Sequence, residues 1–186
     1  MRKRRKISIK IKIIAVLLCI TVLLGVCYYK MQPVIMRYAV SCAETIMLNS
    51  ANEAILKILE ENDISYDDIA RLSLNDNGYV TSLEIDIYEI NRLKSKISNE
   101  TARIIEAQEF YDFSIPLGTF FGNTYTNGLG PLLNFNMQLT TTAFVNFKHE
   151  FKAAGINQVL HIITVEIDIK GSFVMLGYNK GVSVST

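Results

Sequence analysis

An uncharged run of seventeen residues, Ile13–Tyr29, constrains this chain more than any other stretch. As an α-helix rising about 1.5 Å per residue it would be roughly 25 Å long, near the lower limit for crossing the hydrocarbon core of a bilayer. Lys12 and Lys30 stand at its ends, where their ammonium groups can reach the lipid headgroups. The run predicts a transmembrane helix over residues 13–30, followed by one folded domain over residues 31–186.

The distribution of charge predicts how this helix is oriented. Residues 1–12 contain seven basic side chains and no acidic one, whereas residues 31–186 have a net charge of −7. Because Lys and Arg beside a membrane span stay in the cytoplasm, residues 1–12 are expected to be a basic cytoplasmic segment and the domain to lie outside. The acidic domain argues against nucleic acid as a partner, since phosphate binding needs basic patches. The lipid bilayer is the partner that the sequence itself indicates.

Two alternatives to an uncleaved anchor share the same charged start and apolar centre. A secretory signal peptide would need a small-x-small cleavage site, and the exit sequence LLGVCYYKMQP has none. Leu24–Cys27 is similar to a lipoprotein box, which would place a lipid on Cys27, but Val26 occupies a position where that box needs a small residue. Cys42 is the one cysteine after the anchor, so the domain cannot form an internal disulfide and must depend on its core.

Apolar spacing predicts two helices in the first half of the domain. One begins at Pro33 and continues over Val34–Glu61, because proline is tolerated at the first helical position, and the second spans Ile90–Phe110. Asn77 and Gly78 between them are typical of a tight hairpin turn, since both positions of a type I′ turn need positive φ. The strands that this turn would join are Arg71–Leu74 and Tyr79–Tyr88.

The residue pattern of the second half of the domain predicts β-strands. Phe113–Pro131 is rich in Gly and Pro and is expected to be a loop. Alternating apolar and polar residues then predict two long strands, joined by a loop at Phe151–Asn157, that form an antiparallel hairpin. Further strands are expected at Gly171–Leu176 and Val182–Thr186. The predicted fold class is α+β, with two helices packed on one face of an antiparallel sheet.

His149 and His161 are the two histidines, and they lie near the hairpin-loop ends of the two long strands. They can come close across the hairpin, but a metal site would need one or two further carboxylate or thiolate ligands. Glu150 should point to the opposite face of the strand from His149. The sequence therefore predicts no metal, no cofactor and no catalytic residue, and a structural or surface role for both histidines.

Several short stretches make the chain similar to a known family. They are Ile115–Gly118, the Gly128–Pro131 turn, the Asp76–Gly78 turn and above all FKAAGINQVLH at Phe151–His161. With the basic anchor, these residues resemble the YunB family of sporulation proteins from endospore-forming Firmicutes, over essentially the whole chain. The resemblance implies a membrane protein required for spore formation without assigned catalytic activity. It also implies a domain between the mother-cell and forespore membranes if the protein is made in the mother cell.

The resulting hypothesis is a non-enzymatic assembly or scaffold component that holds a protein partner in the cell envelope. Its candidate contact residues, for which plain turn architecture is the favoured interpretation, are Gly128, Gly130, Asn157, Gln158 and His161. An envelope enzyme acting on peptidoglycan and a lipoprotein binding module are the alternatives. The resemblance further implies more strand-rich sequence after Val182–Thr186, where this chain stops.

Overall fold

A computed structural model describes residues 9–76, 80–155, 158–175 and 177–186. The helices are α1 (Ile9–Glu61), α2 (Tyr66–Ile69) and α3 (Ile87–Glu106), with a 3-10 helix at Leu117–Phe121. The strands are β1 (Ala70–Leu74), β2 (Val80–Ile85), β3 (Tyr111–Pro116), β4 (Leu132–Gly155), β5 (Gln158–Met175) and β6 (Tyr178–Ser185).

Two sheets confirm the predicted α+β class. Strands β1 and β2 form an antiparallel pair, and the other four strands form a sheet in the order β3-β4-β5-β6. Strands β4 and β5 pair from Gln138 opposite Val174 to Gly155 opposite Gln158, which is the long antiparallel hairpin that the alternating sequence predicted. Strand β6 then pairs antiparallel with the second half of β5.

Helix α1 contains the predicted anchor and continues beyond it. The prediction that Pro33 begins a new helix is wrong, because Pro33 lies inside α1. A proline removes one backbone hydrogen bond but fixes φ near a helical value, so strongly helical sequence on both sides can carry the helix through it. Among the described residues, α1 is the one helix long and apolar enough to cross a membrane. Its apolar side chains from Ile13 to Tyr29 are exposed.

The chain divides into two compact units, one made of residues up to Ala39 with Ser114–Phe135 and the other of Val40–Phe113 with Asn136–Thr186. The segment Phe113–Pro131 is more regular than the predicted loop, because it includes most of β3 and the 3-10 helix. The Leu117 and Gly118 amides donate to the carbonyls of Pro131 and Leu129, at 2.9 and 2.8 Å. These bonds close the segment into a compact turn.

In the second unit, α3 and the part of α1 after Ala39 cover one face of the sheet, as predicted. Met47 of α1 is fully buried beside Gly171 of β5, and Ser98 of α3 donates a hydrogen bond to the Ala143 carbonyl of β4. The side chains that make this core alternate along the strands and recur every three or four positions on the helices. They include Ala43, Met47, Ala51, Ala54, Leu93, Ile97, Ile105, Leu139, Ala143, Val145, Ile167, Ile169 and Phe173.

Several boundaries differ from the sequence predictions. Strand β2 ends at Ile85 rather than Tyr88, because the Asp86 carboxylate accepts from the Glu89 amide at 3.0 Å and begins α3 there. Strand β4 continues to Gly155, so most of the predicted Phe151–Asn157 loop is strand. Strand β5 also runs through Gly171 without a break. The predicted Asn77-Gly78 turn lies outside the described residues.

Candidate functional site

The far end of the β4–β5 hairpin brings the two histidines to the same face of the sheet. Phe151 of β4 is directly opposite His161 of β5, and His149 is opposite Ile163. Because side chains alternate along a strand, His149 and Phe151 share one face, and His161 lies on that same face across the ladder. His149 and His161 are therefore diagonal neighbours, and the sequence prediction that they can approach each other is confirmed.

The contact between the two imidazoles is close and well oriented. His149 Nδ1 lies 3.4 Å from His161 Nε2, and the ring planes are within 9° of parallel. The Phe151 ring packs against His161 with a centroid separation of 4.7 Å and an interplanar angle of 21°. The His161 ring is thus held by an aromatic neighbour while one of its nitrogens faces the other histidine.

Tyr66, at the start of α2, completes this group. Its Oη lies 2.6 Å from His161 Nδ1, and its ring meets the imidazole edge-on with centroids 5.7 Å apart. Both nitrogens of His161 thus have a polar partner. Burial, and secondarily the nearby His149, lowers the pKa of His161, which favours the neutral imidazole. Sequence reasoning missed Tyr66, because a single tyrosine in a short acidic turn, 95 positions from His161, has no pattern that points to the contact.

Carboxylates do not complete a metal-binding cluster here. Within the described parts of the chain, no group of three or more His, Cys, Asp or Glu side chains is placed to hold an ion. Glu150 follows His149 but belongs to the other face of β4, and its carboxylate lies 3.3 Å from Lys152 Nζ. The described site is therefore a histidine pair with an aromatic and a phenolic neighbour.

The glycines of the 117–131 turn have backbone conformations that suit glycine. Gly128 and Gly130 have φ of +79° and +93°, a region that L side chains rarely adopt. Gly118, the last residue of the Ile115–Gly118 stretch, is tighter still, since a β-carbon there would stand 2.0 Å from the Thr126 carbonyl oxygen. These values explain the glycines by turn geometry, and a partner-contact role for them stays a prediction.

The remaining predicted positions are only partly described. Asn157 and the side chain of Gln158 lie outside the described residues, although the Gln158 backbone opens β5 opposite Gly155. Lys12 and Lys30 are exposed on α1, where eighteen residues of helix separate them by about 27 Å. Their role as the ends of a membrane span stays a prediction.

The face of the β4–β5 hairpin away from the helices is polar and exposed. Phe144 is an exception there, with 53% of its side chain exposed, and the Lys170 ammonium lies 6.0 Å from its ring centroid. From Asn136 onward, the exposed polar positions of β4 on this face are Asn136, Gln138, Thr140, Thr142, Asn146, Lys148, Glu150 and Lys152.

Comparison with known proteins supports the sequence resemblance. Residues 112–186 match the family model described as sporulation protein YunB. The chain is also similar to the sporulation protein YunB of Bacillus subtilis (strain 168), with 22% identity over 170 residues, which cover 86% of this chain and 66% of that relative. No solved structure matches the chain. The predicted resemblance to the YunB family of sporulation proteins is thereby confirmed.

Proposed function

We propose that this protein is a single-pass membrane protein that serves spore formation as a non-enzymatic assembly component. The observation that carries the proposal is the combination of a YunB-type sequence with an exposed apolar helix at its N-terminal end. Seventeen exposed apolar or uncharged residues in water are unfavourable, and burial in lipid removes that cost.

The proposed orientation places residues 1–12 in the cytoplasm and the domain outside. The support is the charge asymmetry, since seven basic side chains precede the apolar run and an acidic domain follows it. In a sporulating cell this orientation would place the domain between the mother-cell and forespore membranes if the mother cell makes the protein.

The proposed partner is a protein of the cell envelope that binds the exposed face of the β4–β5 hairpin. On β4, this face has neutral hydrogen-bonding side chains on both sides of one exposed aromatic ring, Phe144, and the β5 positions beside that ring are the charged residues Glu166, Asp168 and Lys170. Interfaces are typically enriched in aromatic residues, with polar groups around them. Lys170 beside the Phe144 ring adds a cation at the edge of the same surface.

The experiment is complementation of a strain of the parent organism that lacks this protein. The wild-type chain is expected to restore heat-resistant spores with unchanged vegetative growth. A face variant, Phe144→Ser with Lys170→Ser, is expected to restore fewer spores at an equal membrane level of protein. The matched control is Ile87→Ser with Tyr88→Ser, which removes two apolar side chains of α3 that are 70% and 78% exposed.

Each result decides a separate claim. Normal spore counts in the deletion strain would reject the sporulation role. Full activity of the face variant would reject the hairpin face as the contact surface while leaving the sporulation role in place. Replacing Cys27 by Ser is expected to leave the protein in the membrane fraction, and its release would favour the lipoprotein alternative instead.

The orientation is tested with a cysteine at Ser183, an exposed position of β6, in a chain whose three native cysteines are replaced by serine. A membrane-impermeant maleimide added to intact protoplasts is expected to label this residue. Labelling only after lysis would place the domain inside and reject the proposed orientation.

A further inference from the structure

We propose that His149 and His161 form a binding site for a borderline divalent transition-metal ion such as Zn²⁺, and that Tyr66 holds His161 in the tautomer that binds it. The ion would bind His149 through Nδ1 and His161 through Nε2. This site is separate from the polar hairpin face, because both histidines lie on the opposite face of the sheet.

The separation of the two nitrogens fits one ion. Histidine nitrogens bind Zn²⁺ at about 2.0–2.1 Å, so two of them at a tetrahedral angle are about 3.3 Å apart. His149 Nδ1 and His161 Nε2 are 3.4 Å apart. The two nitrogens therefore already have the separation that two ligands of one ion require.

Tyr66 supplies the outer partner that metal-binding histidines typically have. A histidine that binds a metal through one nitrogen usually donates its other N–H to an oxygen, which fixes the ring orientation and the tautomer. Tyr66 Oη, 2.6 Å from His161 Nδ1, is placed to accept that N–H. The proton is then on Nδ1, and Nε2 is left with its lone pair facing His149.

The proton balance of binding is simple. For two neutral imidazoles, the contact between His149 Nδ1 and His161 Nε2 requires one N–H between them, and in the bound form the protons of the two rings would be on His161 Nδ1 and His149 Nε2. Both rings stay neutral, so binding changes tautomers without releasing a net proton. Because a ligating imidazole nitrogen must be unprotonated, binding of the ion competes with protons.

The β4–β5 hairpin holds the backbones of His149 and His161 in fixed positions relative to each other. Continuous antiparallel pairing holds β4 and β5 in register on both sides of His149 and His161, and Phe151 packs against the His161 ring. With two protein ligands, the other coordination positions of the ion would be filled by water or by a group from another molecule. Such an open site binds reversibly and differs from a closed structural zinc site with four protein ligands.

The chain itself allows a clean test, because it has only these two histidines. The full-length protein is purified in detergent micelles with an affinity tag that lacks histidine, and Cys19, Cys27 and Cys42 are replaced by serine to remove thiol ligands. Zn²⁺ is added at pH 7.5 and followed by calorimetry and by the ¹⁵N resonances of the two imidazoles. The expected result is one ion per chain, with shifts at His149 Nδ1 and His161 Nε2.

Single variants assign the ligands. His149→Gln and His161→Gln are each expected to abolish stoichiometric binding, and Tyr66→Phe is expected to weaken it by about tenfold, as loss of an outer hydrogen bond typically does. Glu150→Gln, on the opposite face, is the matched control and is expected to bind Zn²⁺ like the parent chain. The circular dichroism spectrum and melting temperature of each variant show whether it folds. If His161→Gln does not fold, His149→Gln still tests the proposal, because this variant keeps the packing of Phe151 against the His161 ring.

Three outcomes would overturn the proposal. They are a folded parent chain that does not bind Zn²⁺, a His149→Gln chain that binds it equally well, and a Glu150→Gln chain that loses binding. None of these outcomes bears on the sporulation role, which is measured separately by spore counts.

Discussion

The Cε methyl group of Met47 lies 3.0 Å from the point where a β-carbon on Gly171 would stand. Met47 is fully buried on α1, and Gly171 lies near the C-terminal end of β5. The missing side chain lets the helix approach the sheet at this point. The same position also faces the Thr140 carbonyl oxygen at 2.5 Å, which is backbone and cannot move aside.

Gly171→Ala is therefore expected to destabilise the protein. Overpacking a tight core site typically costs about 1–3 kcal/mol, and here both a helix and a neighbouring strand resist the added methyl. The measurement is urea unfolding of the detergent-solubilised chain, followed by circular dichroism. Gly181→Ala on β6 is the matched control, because its β-carbon would meet nothing nearer than the Gly171 oxygen at 3.9 Å. Equal stability of the two variants would contradict this account.

Glu100 is expected to make the fold sensitive to acid. Its carboxylate accepts hydrogen bonds from Arg103 and from Lys57, the latter at 2.9 Å, and these donors lower the pKa of Glu100 to about 2. An unfolded glutamate titrates near pH 4.3, so the stabilisation is fully present above about that pH and is lost as the pH falls towards 2.

Glu100→Gln should accordingly lower the free energy of unfolding at pH 7 by about 1 kcal/mol, the upper range for partly exposed ion pairs. The difference from the wild type should shrink as the pH falls from 4.5 to 2. Glu106→Gln, at the exposed end of the same helix, is the control and should change little. A difference that is constant across this pH range would show that the ion pairs are not its source.

Asp86 is expected to be worth about 1 kcal/mol as the N-cap of α3. Its carboxylate accepts from the Glu89 amide at 3.0 Å, which satisfies one of the free N–H groups at the start of the helix. Asp86→Ala should lower the melting temperature, whereas Asp86→Asn should retain most of the stability because an amide oxygen can accept the same bond. A melting temperature that falls equally in both variants would point to the charge rather than the cap.

Ile97 carries a larger share of the stability. It is fully buried on α3, so Ile97→Ala is expected to cost about 2–5 kcal/mol through lost burial and the cavity left behind. Ile87→Ala makes the same truncation on the same helix at a side chain that is 70% exposed, and should change the free energy of unfolding by less than about 0.5 kcal/mol. Chemical denaturation of the two variants side by side gives the comparison, and similar losses would refute the assigned packing face.

The long hairpin was predictable because strict alternation of apolar and polar residues over many positions indicates a half-buried β-strand. His149 and His161 could be paired from the same pattern, since their positions on two antiparallel strands fix their separation. Strand β3 was not predictable from composition. It has only six residues, and Pro116 and Gly118 at its end are residues that usually indicate a loop. Tyr66 was missed for a different reason, since a contact between distant segments depends on tertiary packing alone.

The packing face of α1 shows where apolar spacing is misleading. The large apolar side chains of α1 suggest which face of the helix is buried. However, the α1 residues that are buried in the second unit are mostly small, among them Ala43, Ala51 and Ala54. Leu56, in contrast, is 60% exposed. Small residues let a helix lie close to a sheet, and this advantage appears only when the opposing surface is known.

The contact between Met47 and Gly171 also sets the order in which the protein can be completed. The two residues are 124 positions apart, so α1 emerges from the ribosome long before the strand that covers it exists. Forming a contact between such distant segments costs loop-closure entropy, and non-local contacts of this kind slow folding. Until β5 has been synthesised, the surface of the helix that packs against it is uncovered and open to proteases and chaperones. The packing of α1 in the second unit therefore cannot be completed before β5 has been made.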